Sequence, residues 1–355
     1  MTKKAYLLFI LVCFSLVLNA NRVSGETTGA DFSISTNIPD NQIDKQQSYF
    51  DLLMTPGQEQ TISVVVYNHS SEKITVDVGI MPAFTNEGGH VQYTPAKESL
   101  DKTLTYDIRE LVDGPTKVVL EPVSKQTVSF QVKMPDEPYD GYIAGGITFT
   151  ERSKKSDGNN QSSGLINKIA YTTSLLMRQS LDNGQPDLKL RKVVGKLVNH
   201  TGEITANLQN PEATYLDDLL LKVELFRVGE QSVLLEYEQS DLQMAPNSNF
   251  DFRIPVEQVE QLVTGDYTIR INAYGNLNTD GPHSVDNSST GSNQKYQFHW
   301  ELTTDFHLIV EQKPDTADKF VRSKSSKLNW QLIVVSLIFV GIVVITWRIT
   351  KKRQR

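Results

Sequence analysis

The side chains that could do chemistry are thinly spread along this chain. Histidines stand at positions 69, 90, 200, 283, 299 and 307. No pair has the HExxH spacing that sets two imidazoles on one helix face around zinc. His69 and His200 each sit beside an asparagine in a loop, and His299 and His307 lie in or near a strand, so all six read as solvated or half-buried. Cys13 is the single cysteine and falls in the apolar leader, which leaves the mature chain without a thiol nucleophile. No serine occupies a GxSxG elbow and no glycine-rich phosphate loop opens a helix. Gly145 and Gly146 lie in a strand context and mark a bulge or close packing. Glu236 and Glu238 would share a strand face, whereas Asp217 and Asp218 face apart. A glycosidase needs two carboxylates across one cleft. The stretch Asn276 to Gly281 imitates a calcium loop, but its first position is Asn and its twelfth is Asn287 instead of a bidentate Glu. It reads as a polar hairpin loop, with calcium as the alternative. The expectation is a protein that is no enzyme, with no catalytic, cofactor-binding or metal residue and no cofactor. Its binding residues stay unassigned.

The elements that would position a binding surface are set by location. Lys3 and Lys4 precede an apolar run from Ala5 to Leu18, then small residues at Ala20 and Ser24-Gly25. This is the pattern of a secretory signal peptide over residues 1–25, cut after Ala20 or Gly25. A retained N-terminal anchor is the alternative, although the run is short for spanning. Trp330 to Trp347 is almost wholly apolar and bracketed by tryptophans, long enough to cross a membrane at about 1.5 Å per residue. Arg348, Lys351, Lys352, Arg353 and Arg355 follow, so residues 348–355 form a basic cytoplasmic tail and the N-terminus lies outside. No LPxTG-type motif precedes the apolar run, so the membrane helix is expected to be kept.

The 355 residues suit about two domains, and the net charge of -7 gives no push toward nucleic acid. The near absence of cysteine fits a Gram-positive surface protein better than a disulfide-stapled ectodomain. Asn-x-Ser/Thr sites at Asn68, Asn160, Asn199 and Asn287 carry no inference about glycans. Glu151 to Gly164 cannot build a core and reads as a linker, assigned to 153–164. Residues 313–329 read as a charged stalk whose Lys319, Arg322, Lys324 and Lys327 could touch anionic lipid or wall polymer. This leaves modules at 27–152 and 165–312.

Both modules alternate with a period of two. Ile62, Val64 and Val66 share one face, as do Ile74, Val76, Val78 and Ile80 beyond the loop at 68–72. Further runs are Lys117–Glu121, Val128–Val132 and Tyr142–Thr150, then Leu188–Val194, Ile204–Leu208, Leu219–Val228, Val233–Tyr237, Phe250–Ile254, Tyr267–Ala273 and Tyr296–Leu302. The expected fold is all-β: two Ig-like β-sandwich modules in tandem plus one C-terminal transmembrane helix. The one helical pattern outside the membrane is at Val256–Val263. Phe130 to Pro135 leading to Tyr142 echoes Phe250 to Pro255 leading to Tyr267, a hint of duplication in which both tyrosines pin corners. A sandwich edge could bind peptide by strand addition, and the sequence leaves open which edge.

The first module opens with Phe32-Ser33-Ile34, continues through Tyr49-Phe50-Asp51-Leu52 and Pro56-Gly57 to the valine-rich strand ending Tyr67-Asn68, and closes with Tyr139 to Ile147. In this order it resembles the N-terminal domain of the WxL-interacting proteins of Gram-positive bacteria, and the layout of second module, helix and basic tail is similar too. The resemblance implies a first domain associated with peptidoglycan and WxL-domain proteins and a second that binds host extracellular proteins. It brings no catalytic residues. On this reading the chain is a membrane-anchored surface adaptor, within or above the cell wall. The rivals are a structural or signalling receptor working through its tail, and a cell-wall hydrolase.

Overall fold

A computed structural model describes residues 31–94, 100–152, 169–182 and 184–312. The predicted signal peptide, linker, stalk, membrane helix and tail lie outside the described residues. Among the described residues, no helix is long and apolar enough to cross a membrane.

The first module comprises β1 (Phe32–Asn37), β2 (Phe50–Leu53), β3 (Glu59–Asn68), β4 (Ile74–Pro82), the short pair β5 (Phe84–Thr85) and β6 (Val91–Gln92), the single-turn helix α1 (Ile108–Leu111), β7 (Val112–Asp113), β8 (Lys117–Leu120), β9 (Lys125–Lys133), β10 (Ile143–Glu151) and β11 (Ala170–Arg178). Its two sheets run β1-β3-β9-β7 and β2-β11-β10-β4-β8. The period of two works as expected: Ile62, Val64 and Val66 on β3 and Ile74, Val76 and Val78 on β4 meet between the sheets with Phe130, Phe149 and Leu175. α1 is capped by Asp107, whose carboxylate accepts from Arg109 N–H.

The second module comprises β12 (Lys189–Val198), β13 (Thr201–Asn210), β14 (Leu216–Arg227), β15 (Leu235–Met244), β16 (Ser248–Val256), β17 (Gly265–Leu277), β18 (His283–Asn287) and β19 (Ser292–Glu311). Its layers share one continuous hydrogen-bonded ribbon, β15-β14-β17-β19-β12-β13-β16. The hint of duplication has a structural counterpart. β3–β9, β4–β10 and β10–β11 in the first module match β13–β16, β14–β17 and β17–β19 in the second. Each module also has a buried asparagine where the chain crosses between layers. Asn68 donates to the carbonyls of Glu72 and Glu121 (2.7 and 2.8 Å), and Asn210 to those of Thr214 and Ala245 (2.7 and 3.2 Å).

Three expectations need correction. β11 lies in the span assigned to the second module, yet it pairs with β10 and β2 and buries Leu175 and Met177 in the first core. The polar run at 153–164 therefore falls between two strands of one sheet. No helix forms at Val256–Val263: β16 runs to Val256 and a turn follows, because Leu262 is wanted in the core and Tyr267 takes up the turn's backbone. Asp217 and Asp218 sit on a bulge of β14, with Asp218 at φ +49, and do not simply alternate.

Deleting Leu175 and Met177 alone would cost about 2–5 kcal/mol each, comparable to the whole stability of a domain. A chain ending at residue 152 should accordingly show no cooperative unfolding transition by calorimetry. Extending it to residue 182 should restore one.

Candidate functional site

The two modules meet over a defined interface. Its apolar centre is Ala83, Ala144, Leu176 and Ala245, ringed by Tyr49, Val91, Tyr93, Tyr142 and Tyr215. Tyr142 meets Tyr215 edge-on at 5.3 Å, and the Tyr93 and Tyr215 hydroxyls stand 3.3 Å apart. Burial drives the Tyr215 hydroxyl pKa well above the ordinary tyrosine value. Around this centre the backbones themselves are bonded. Tyr142 N–H donates to Ala213 carbonyl at 2.6 Å, Gln243 N–H to Gly89 carbonyl at 2.7 Å, and Ala245 N–H to Thr85 Oγ1 at 3.0 Å. Thr85 Oγ1 also lies 2.6 Å from Ser248 Oγ. Gly141, at φ +98, lies so close to Ala213 that a Cβ would strike its carbonyl.

The tyrosines expected as corners part company here. Tyr267 is one: its hydroxyl donates to Val263 carbonyl at 2.9 Å and accepts from Val263 N–H at 3.0 Å. Tyr142 instead accepts from Arg178 Nη1 at 3.1 Å and faces the other module. Arg178 also grips Asp51 in a fork, Nη2–Oδ2 at 2.7 Å and Nε–Oδ1 at 3.1 Å, which ties β2 to β11 beneath the interface.

At the interface rim lies an open cleft of about 490 Å³ between Lys102 and Glu87 of the first module and Arg191, Asn207, Asn249 and Asp251 of the second. Asp101 closes one wall. Its side chain has no exposed surface, and it accepts from Thr103 N–H and hydroxyl, Gln209 Nε2 at 2.8 Å, Asn249 Nδ2 and Arg191 Nη1 at 3.3 Å. Burial pushes the Asp101 pKa upward, but the hydrogen bonds from Thr103, Gln209 and Asn249 outweigh it and hold the group below its ordinary value of 3.8. Arg253 bridges to Glu87 at 2.5 Å on the same rim. The cleft offers both signs of charge, amides and little apolar surface, which suits a polar polymer. No sequence pattern announces this cleft, since its lining residues come from five separate segments with no common period.

The residues first weighed for chemistry are dispersed, and several are held by a partner. His69 Nε2 lies 2.7 Å from Ser33 Oγ, His200 Nδ1 lies 3.0 Å from Leu262 carbonyl, and His307 Nδ1 lies 2.8 Å from Asp266. His283 and His299 do approach, with ring centroids 5.3 Å apart, and burial followed by His283 lowers the His299 pKa. Glu238 is bound by Lys222 and Ser288, and Asp217 accepts from Gln243. In the loop after β17, Asn278 Oδ1 accepts from Asp280 N–H, as in an ordinary Asx turn. Gly145 and Gly146 pack tightly against Ile108 and Tyr93.

The Asp101 cluster predicts a pH-dependent interface. Because its folded pKa is depressed, its contribution is complete above the ordinary value of 3.8 and is lost as pH falls from there through the folded pKa. Asp101→Asn should cost about 2 kcal/mol at pH 7 and flatten the acid limb of a melting-temperature profile. A profile matching the parent's would contradict this role.

Two family profiles match the chain: "WxL Interacting Protein, peptidoglycan binding domain" over residues 32–151, and "WxL Interacting Protein, host binding domain" over 160–317. The second begins before β11, the strand that completes the first sandwich. No curated protein sequence matches. Among solved structures, the Pseudomonas aeruginosa CupB2 chaperone is 14% identical, with 72% of this chain and 96% of that one covered and a TM-score of 0.26. The class 5 fimbriae chaperone CfaA is 11% identical, with 73% and 96% covered and a TM-score of 0.27. The PapD-like domain 7 of human CEP192 is 14% identical, with 47% and 97% covered and a TM-score of 0.26. At such TM-scores these likenesses carry no inference about this chain. The two family matches are consecutive and span nearly all of the described β-structure, and on them the chain belongs to the WxL Interacting Protein family.

Proposed function

We propose that this chain is a non-enzymatic, membrane-anchored adaptor of the Gram-positive cell surface. It binds peptidoglycan and a WxL-domain protein on the side of the first sandwich and presents the second to host ligands. The observation that carries this reading is the bonded interface between two modules whose families are named for binding peptidoglycan and host. Backbone-to-backbone bonds across an apolar centre hold two such surfaces at a fixed angle, which an adaptor needs and a chain of loosely tethered domains lacks.

We take the interdomain cleft as the seat of peptidoglycan. Lys102 and Arg191 would meet the carboxylates of stem peptides, and Asn207, Asn249 and Asp251 the hydroxyls and amides of the glycan. The apolar run from Trp330 to Trp347 supports anchoring.

Retention on purified peptidoglycan, across a range of salt, tests the seat. Lys102→Ala with Asn207→Ala should weaken retention about tenfold, as expected for losing one or two polar contacts, with the melting transition preserved. Unchanged retention would contradict the assignment. Removing residues 330–355 should move the protein from the membrane fraction to the medium. Continued membrane association would contradict a C-terminal anchor.

A further inference from the structure

Among the described residues the first sandwich has a corner where its two sheets are not joined, whereas one strand joins those of the second. In the second module one strand, β12, pairs with β13 along its length and with β19 through Gly195–Val198, so both layers are joined. In the first module that work is divided. β1 pairs with β3, β2 pairs with β11, and residues 38–49 run between them. Among the described residues the two sheets are therefore not linked at this corner.

β2 covers Leu175–Arg178 and leaves Ala170–Ser174 with no strand on that side among the described residues. The side can be read from parity. Arg178 carbonyl accepts from Met54 on the β2 side, and Ile169 carbonyl accepts from Glu151 on the β10 side. With a repeat of two, the N–H and C=O groups of Ala170, Thr172 and Ser174 face the open side. A groove of about 380 Å³ lies there, bounded by Ile34–Thr36 of β1, by Ser48 and Tyr49, and by residues 171–174. Its wall is held by Thr36 Oγ1 donating to Ser48 carbonyl at 2.8 Å. Among the described residues no lining side chain is charged, unlike those of the interdomain cleft. Thr173 also lines the groove. It is only 5% exposed, and its Oγ1 has no hydrogen-bond partner among the described residues, a state that costs about 1–3 kcal/mol unless something fills it.

We propose that this corner is an acceptor for an extended, uncharged segment of a partner polypeptide, which adds as a strand along Ala170–Ser174 and sets a hydrogen-bonding side chain against Thr173. This rests on the adaptor reading, in which the first module holds a protein partner. A peptide strand fits because it supplies N–H and C=O groups at the repeat the edge demands, about 6.6–7 Å between same-side residues. A glycan offers no such ladder, and a charged segment would find no counter-ion.

The test uses the full-length chain with two probes: a purified WxL-domain protein and a set of uncharged decapeptides rich in serine, threonine and valine. Binding is followed by affinity and by amide exchange. The expected result is exchange protection at Thr172 and neighbouring open-side amides with at least one probe. Thr172→Pro removes one outward N–H and spares the backbone ladder to β10, losing there only the hydroxyl contact with Thr148, and should weaken binding at least about tenfold. Thr173→Val, which replaces the orphaned hydroxyl by a methyl, should leave the melting temperature equal or higher yet also weaken binding. Parent-like binding by both variants overturns the proposal. So does absence of protection with both probes, or pairing of the chain with a second copy of itself through this edge. Peptidoglycan retention of the same variants reports separately on the adaptor reading.

Discussion

The arrangement depends on one interface, where two β-sandwiches bury polar groups against each other and satisfy them across the boundary. Asp101 illustrates the constraint. A carboxylate with no exposed surface is tolerable only when donors surround it, and Thr103 comes from its own module while Gln209, Asn249 and Arg191 come from the other. Separating the modules would strand the charge in one and unpaired amides in the other. The same holds for the Ala213 and Gly89 carbonyls, which receive N–H groups from across the boundary. Apolar contact alone would permit sliding, whereas directional bonds around the tyrosine-rimmed centre select one orientation.

Two solutions to one topological problem follow from the repeated strand order. The second module closes its layers into one ribbon through β12. The first interrupts the equivalent strand, and the buried Arg178–Asp51 fork then fixes β2 on β11 in register, Leu176 opposite Asp51. A buried ion pair is weak evidence of stability but a good device for register. Among the described residues both modules leave an edge unpaired at this corner, β11 at Ala170–Ser174 and β19 ahead of Leu308, but the interruption leaves the sheets of the first module unlinked beside that edge while β12 links those of the second. The likeness of the halves therefore lies in pairing order and in the buried crossover asparagines, and their difference lies at the corner where they would bind.

Much of the strand order is legible in the sequence because half-buried strands alternate. The spacing of Ile62, Val64 and Val66 is enough to announce β3, and Tyr267 announces its corner. β11 escapes such a reading because a polar run of the ERSKKSDGNNQSSG type marks a domain boundary and a long hairpin connection equally well. Val256–Val263 has a helical look because Val259 and Leu262 are spaced to share a face. In the fold they reach the second core from a turn braced by Tyr267. The interface leaves no trace in the sequence for a plain reason. Thr85 finds Ser248, and Asp101 finds Gln209, across more than a hundred residues, and no local period records such pairings.

The central claim is that the two sandwiches form one rigid body, and inter-module distance measures it most directly. Because Cys13 is the sole cysteine, replacing it with serine lets spin labels be placed at will on the exposed Val119 of the first module and the exposed Leu277 of the second. The account predicts one narrow distance distribution, unchanged when peptidoglycan is added. A broad or two-peaked distribution would show hinged domains and would contradict it.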